Sequence, residues 1–248
     1  MSKGVATYKQ YPEWIRGPSK VEYGHVVLDP ARSETYFMYE PTDLVFDLLD
    51  VYRDGLDTLS VARFVRRHGL LFHGSQDMSA GPFKEPLSKW REDLGQLNMV
   101  ARLYMDLKES EENGPTELMR ESFRAIKANI GALEGQEVSD KDLLGAVSVL
   151  FAEMVTEGMQ GTSAGLTSTC WLDVAPKSPT TFLLLQVPKD LVTAAYSQFA
   201  NLIASKAPIV PCPGCGRLFV PESGKQKYHS KSCASTSRWR RWKAAQPE

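Results

Sequence analysis

The stretch that most limits what this chain can become lies near its C-terminal end. It reads Cys212-Pro213-Gly214-Cys215, then thirteen residues, then His229-Ser230-Lys231-Ser232-Cys233. Two residues between the first cysteines let both sulfurs reach one ion. His229 and Cys233 are four apart, a spacing that would place both on one face of a helix's first turn. Gly214 and Gly216 allow a tight turn and leave backbone amides to face the sulfurs. Leu218, Phe219 and Val220 read as a short strand between the two pairs. Three thiolates and one imidazole favour Zn2+. Four protein ligands make a closed, structural site, so Cys212, Cys215, His229 and Cys233 are expected to hold one zinc ion per chain. A stretch this short buries too little core to fold unaided, so the metal should supply much of its folding energy.

The same end carries an unusual charge. Residues 205–248 hold nine Lys and Arg against two Glu, a net +7, and residues 1–204 hold 20 against 28, a net −8. The formal total of −1 hides this division. Beyond Cys233 the chain runs Arg238-Trp239-Arg240-Arg241-Trp242-Lys243. As a helix, it would set Arg238, Arg241 and Trp242 on one side and bring Trp239 near Lys243. One reading is nucleic-acid binding: Lys231, Arg238, Arg240, Arg241 and Lys243 would meet phosphates, and Trp239 or Trp242 would stack or pack. The other reading is internal. The tryptophans would pack on the zinc module or the body, and the arginines would pair with the acidic body. The basic run is short for membrane-surface binding, so DNA, RNA or protein is the expected partner.

The runs CPGCGRLFVP, QKYHSKSC and RWRRWK resemble the treble-clef zinc module at the C-terminus of many bacterial proteins, related to the CGNR type. The resemblance spans about 35 residues and maps the ligands onto Cys212, Cys215, His229 and Cys233. It departs in two places: His229 stands where the pattern has cysteine, and Ala234-Ser235-Thr236 follows Cys233. The resemblance implies a treble-clef fold, DNA binding and a bacterial, cytoplasmic protein.

The rest of the 248 residues is ordinary globular material, with 42% hydrophobic and 24% charged residues. No apolar h-region opens the chain and no apolar run reaches the ~20 residues of a membrane span, so a reducing, cytoplasmic setting is expected. Val21 to Leu28 and Ser33 to Tyr39 read as strands, or else residues 1–40 form an extended arm. Helices follow. Pro41 to Arg53 turns Leu44, Val45, Leu48 and Leu49 inward. A second, capped by Asp57 and stopped by Gly69, turns Leu59, Val61, Ala62 and Val65 inward. Residues 70–84 read as a loop. A third helix opens near Pro86 with a seam of Leu87, Trp90, Leu94, Leu97, Ala101 and Tyr104. Its glutamates 109, 111 and 112 read as a solvated helix end, and Glu111 and Glu112 sit at the unfavourable end of the dipole, so the helix should fray there. A fourth helix begins near Thr116 with Met119, Phe123, Ile126, Ile130 and Leu133. A fifth, capped by Ser139, has a core face of Leu143, Leu144, Val147, Leu150, Phe151 and Met154. Glycines 158, 161 and 165 should break it. Leu166 to Val174 and Thr180 to Val187 suit a β-hairpin within 166–187, and a sixth helix runs from Pro188 to Ser205.

The expected fold is α+β: a mostly helical body with small strand elements over 1–205, then a treble-clef zinc module over 206–248. Signals for catalysis are weak. His68 and His73 flank Gly69 without a metalloprotease pattern, and the Gly161–Gly165 run has no lysine partner. Cys170 reads as a buried hydrophobe. An enzyme using the 70–84 loop and Cys170 is the third class of function. The first is a non-enzymatic zinc protein that binds nucleic acid, a transcriptional regulator whose body takes a ligand or protein. The second is a structural or interaction protein whose zinc module clamps onto its own acidic body.

Overall fold

A computed structural model describes residues 13–29, 32–37, 43–72, 83–114, 116–117, 119–121, 124, 140–160, 169–174, 182–188 and 190–246. Four short strands come first: β1 (Glu13–Arg16), β2 (Ser19–Glu22), β3 (His25–Leu28) and β4 (Glu34–Phe37). β1 pairs antiparallel with β4, and β2 with β3. The expected strand over Val21 to Leu28 is therefore two, divided by a Tyr23-Gly24 turn. Both turn residues have positive φ, 48° and 74°, which matches the twist of a two-residue hairpin. Gly24 accepts this freely, and Tyr23 adopts it at an exposed tip.

Among the described residues, the helices of the body with both ends traced are α1 (Leu44–Arg53), α2 (Thr58–His68), α3 (Leu87–Asn113), α4 (Asp140–Gln160) and α5 (Leu191–Ala204). The signals at α2 act as expected. The Asp57 carboxylate accepts from the amides of Leu59 and Ser60 at 2.8 and 3.1 Å, and Gly69 ends the helix at φ 96°. Val61, Phe64 and Val65 face inward. Leu59 does not; it is 65% exposed, because it lies about 200° around the helix from Val61. Residues beyond Gly69 are not a surface loop throughout. Leu70 and Leu71 are fully buried, and β5 (Lys84–Pro86) pairs with β3 to complete a β2-β3-β5 sheet. Glu85 lies at 0% exposure and accepts from the amides of Leu71 and Phe72 and from Trp90 Nε1 at 2.9, 2.7 and 2.8 Å. Those bonds tie the exit of α2 to the start of α3.

The α3 seam holds. Trp90, Leu94, Leu97 and Ala101 are buried, with Leu87 and Tyr104 packed beside them. α3 packs on α1 and α4. It does not fray at its glutamates: it continues to Asn113, where Gly114 turns at φ 81° and donates to Ser110 O. Met119 is fully buried in a second cluster with Leu103, Leu143, Val147 and Leu150. Phe123, Ile126, Ile130, Leu133 and Ser139 lie outside the described residues.

Gly158 is no helix breaker. α4 passes through it to Gln160, and a Cβ there would clash with the Tyr196 ring of α5. The glycine allows two helices to approach. Gly161 and Gly165 lie outside the described residues. β6 (Thr169–Val174) and β7 (Phe182–Val187) pair antiparallel from Thr169↔Val187 to Val174↔Phe182, as expected of a hairpin. The architecture is α+β and mostly helical. Among the described residues, no helix is long and apolar enough to cross a membrane.

Candidate metal centre and basic helix

After α5 the chain forms β8 (Val210–Pro211) and β9 (Leu218–Phe219), paired antiparallel. The turn between them carries the first two cysteines. Cys212 N donates to Arg217 O at 2.8 Å, and Gly216 N to Cys212 O at 2.7 Å. Gly216 sits at φ 76°, a left-handed conformation that glycine accepts without strain. Its amide is thus committed to a carbonyl and does not face a sulfur; the Gly214 amide faces the Cys212 thiol. A Cβ on Gly214 would lie 3.2 Å from Cys233 O, so this position also serves a close approach.

The second pair is arranged differently from expectation. The last helix, α6, spans Lys231–Ala244 with Ser230 as its N-cap, and the Ser230 hydroxyl accepts from Cys233 N. His229 therefore precedes the helix and Cys233 stands in its first turn. The serine cap between them fixes the entry angle of the chain in place of an i, i+4 face.

The ligand atoms of Cys212, Cys215, His229 and Cys233 all lie within 4.8 Å of one another, close enough to hold one metal ion. Cys215 Sγ is 3.4 Å from His229 Nδ1. Tetrahedral zinc bound by one sulfur and one imidazole would separate those atoms by about 3.6 Å. Cys212 is buried and Cys215 exposed. Burial opposes the Cys212 thiolate, but hydrogen bonds from the His229 side chain and amide and from Gly214 bring that thiol down to about 6. Burial, then the neighbouring thiols of Cys215 and Cys212, pushes Cys233 up to about 11. Three thiols this close cannot all ionise cheaply without a cation among them.

The turn is fastened to the body by charge. Arg217 reaches Asp47 and Asp50 of α1, each at 2.8 Å. Arg67 and His68 of α2 converge on Asp47 Oδ2, both at 2.7 Å. Lys108 Nζ donates to Ile209 O at 3.2 Å. For Asp47, burial raises the pKa, but the His68 hydrogen bond and charge, with Arg67 and Arg217, outweigh it and hold the carboxyl below its usual range. Burial leads at Asp50 and raises it, against Arg217 and Arg53. Sequence reasoning missed this cluster. Its only local trace is the spacing of Asp47, Asp50 and Asp54 along one face of α1. A cleft of about 1260 Å3 opens beside the cluster, lined by Arg67, Gln198, Asn201, Arg217, Gln226 and His229 among others.

α6 behaves in the opposite way. It has no buried residue. Arg238 Nε donates back to Ala234 O, Arg240 Nη1 to Gly214 O and Arg241 Nη2 to the Tyr228 hydroxyl. Lys243 Nζ sits 5.4 Å from the Trp239 ring centroid. Lys231 is exposed. None of these five cations pairs with a carboxylate among the described residues. Trp239 and Trp242 are 56% and 61% exposed, so neither indole is packed away on the body or the turn.

His68 is a buried ring against Phe64 and Asp47. His73 and the 161–165 run lie outside the described residues. Cys170 is a β6 residue opposite Gln186. No protein-family model, no curated protein and no solved structure matches this chain.

Proposed function

We propose that this is a zinc-containing protein that binds nucleic acid through α6, with residues 1–205 as a regulatory body and 206–248 as a treble-clef module. Zinc is the ion favoured by a Cys3His donor set, and four protein ligands leave it a structural role. The observation that carries the reading is that none of the five Lys and Arg of α6 pairs with a carboxylate among the described residues. From the C-terminal segment, Arg217 reaches Asp47 and Asp50 of the body. Lys231, Arg238, Arg240, Arg241 and Lys243 are left for phosphates. In this reading the cleft beside Arg217 is where a regulating ligand would enter, next to the joint between body and module.

A salt series on filters tests it. With four or five phosphate contacts, log K should fall with log salt at a slope of roughly −4 on duplex DNA. Affinity no better than about millimolar at low salt, for mixed-sequence DNA and RNA alike, ends the reading; ordinary non-specific binding is tighter than that. Elemental analysis should find one zinc per chain, lost in Cys212→Ser.

One observation favours a second reading, a module that merely clamps the chain's end to its body: the same Arg217 pairs. That reading leaves the outward indoles without a purpose.

A further inference from the structure

Resting on that nucleic-acid reading, we infer that the ligand of α6 is an unpaired strand, stacked on Trp239 and Trp242, and not a duplex. The helix has two faces. Cys233, Ser237 and Arg240 look toward the metal-binding turn: Ser237 meets the Tyr228 hydroxyl at 3.1 Å, and Arg240 reaches Gly214 O. At 100° per residue, Trp242 lies roughly opposite Cys233, and Trp239 about 60° further round. The indoles are thus side by side on the face turned away from the turn, about 4.5 Å apart along the axis. Arg238 borders this strip on one side and Lys243 on the other. Lys243 lies over the Trp239 ring, which leaves the remaining ring surface for one base and puts a cation beside its phosphate. The helix sequence from Lys231 to Ala244 holds no acidic residue, so nothing on it repels a strand.

A duplex cannot use this strip. Its base faces are stacked inside, and a side chain reaches them only by prying a step apart. Indole has one N–H donor and no acceptor, so it reads base edges poorly. The helix holds no Asn or Gln to read adenine edges; its Arg and Lys could read guanine edges, but the two indoles that form the strip between Arg238 and Lys243 cannot. An unpaired strand offers base faces for stacking and phosphates for the flanking cations, without sequence preference.

The test compares the zinc-loaded full chain on a labelled single strand of about 12 nucleotides, as DNA and as RNA, and on the duplex of the same sequence. The single strand should bind at least tenfold more tightly, with indole fluorescence quenched on binding. Trp239→Ala and Trp242→Ala should each weaken it about tenfold, and Trp→Phe at either site should keep most of the affinity. Single-strand binding should have a salt slope near −3 for four contacts. Zinc content checks that each variant is still folded. Equal or tighter duplex binding, insensitive to the Trp→Ala changes, overturns the single-strand inference and leaves nucleic-acid binding standing. Loss of binding to every nucleic acid removes both.

Discussion

Between Leu44 and Ala204 the chain buries whole side chains of Trp90, Leu94, Leu97, Phe199 and many others among its helices, whereas residues 206–246 bury three apolar side chains: Ile209, Cys212 and Phe219. The entropy of ordering a residue is similar in both regions. The body offsets it by removing apolar area from water. The C-terminal segment has nothing comparable. Its two strands are two residues each and its helix buries no side chain. What remains to hold it is the Cys3His cluster and a few contacts on the body. The contrast is between a part with an apolar core of its own and a part whose main internal tie is a Cys3His cluster able to hold a metal ion.

The largest effect expected from this contrast follows metal removal. Structural zinc in small modules supplies roughly 10–16 kcal/mol at neutral pH. A strong chelator, or Cys212→Ser, should therefore make residues 206–246 susceptible to protease while the body keeps its helical circular dichroism. If the segment stays resistant without metal, the contrast is wrong and the body holds it alone.

Next come substitutions in the body. Leu94→Ala should lower unfolding stability by about 3 kcal/mol, since the fully buried Leu94 leaves a cavity. Gly158→Ala should cost about 1–3 kcal/mol by forcing α4 off the Tyr196 ring. Both should leave one metal ion per chain. A drop in metal stoichiometry in either variant would show that the two regions fold as one unit.

The contrast also explains what could be read in the sequence. The ligand set was legible because its chemistry is local: two spaced pairs, a glycine turn and a helix start lie within 22 residues. The α3 seam was legible because a repeating 3,4 spacing needs no knowledge of its partner. Gly158 was misread because its reason for being glycine is Tyr196, 38 residues away and on another helix. The position of His229 was misread because Ser230 competes with it for the first turn, and the cap won. Arg217 gave no signal at all. One arginine beside a cysteine pair looks the same whether it meets α1 or water.

Arg217 is the joint between the regions, and its removal should have an intermediate effect. Arg217→Ala leaves Asp47 and Asp50 without their shared cation, at a cost of about 1–3 kcal/mol. Protease should then cut between body and turn sooner, with the metal content unchanged. The two carboxylates differ in sign. Asp47 is held below its usual pKa by His68, Arg67 and Arg217 against its burial. Its contribution is complete above the ordinary carboxylate range and is lost as pH falls through that range, below about pH 4. Asp50 is raised by burial, so its ionised form opposes folding at neutral pH. Asp47→Asn should therefore destabilise the chain at pH 7 more than Asp50→Asn, and the gap should close on acidification. Equal losses at pH 7 would mean that His68 and Arg67 give Asp47 no advantage over Asp50.

The smallest effect concerns the indoles of α6, and here near-neutrality is itself informative. Trp239 and Trp242 are more than half exposed, and their one intramolecular contact of note is Lys243 over the Trp239 ring. An exposed cation–π pair contributes about 0.5–1 kcal/mol, and other exposed substitutions stay within about 0.5 kcal/mol. Trp242→Ala should leave thermal stability and metal content unchanged, and Trp239→Ala should lower stability by no more than that one pair. An internal role predicts the reverse, because a tryptophan that docks the helix would cost about 3–5 kcal/mol when truncated. Thermal unfolding of the two single variants separates these outcomes. A loss of several kcal/mol would return α6 to the body as a clamp. No loss leaves two indoles on a face of α6 turned away from the contacts of Ser237, Arg240 and Arg241 with the module, which is the condition for that face to hold something else.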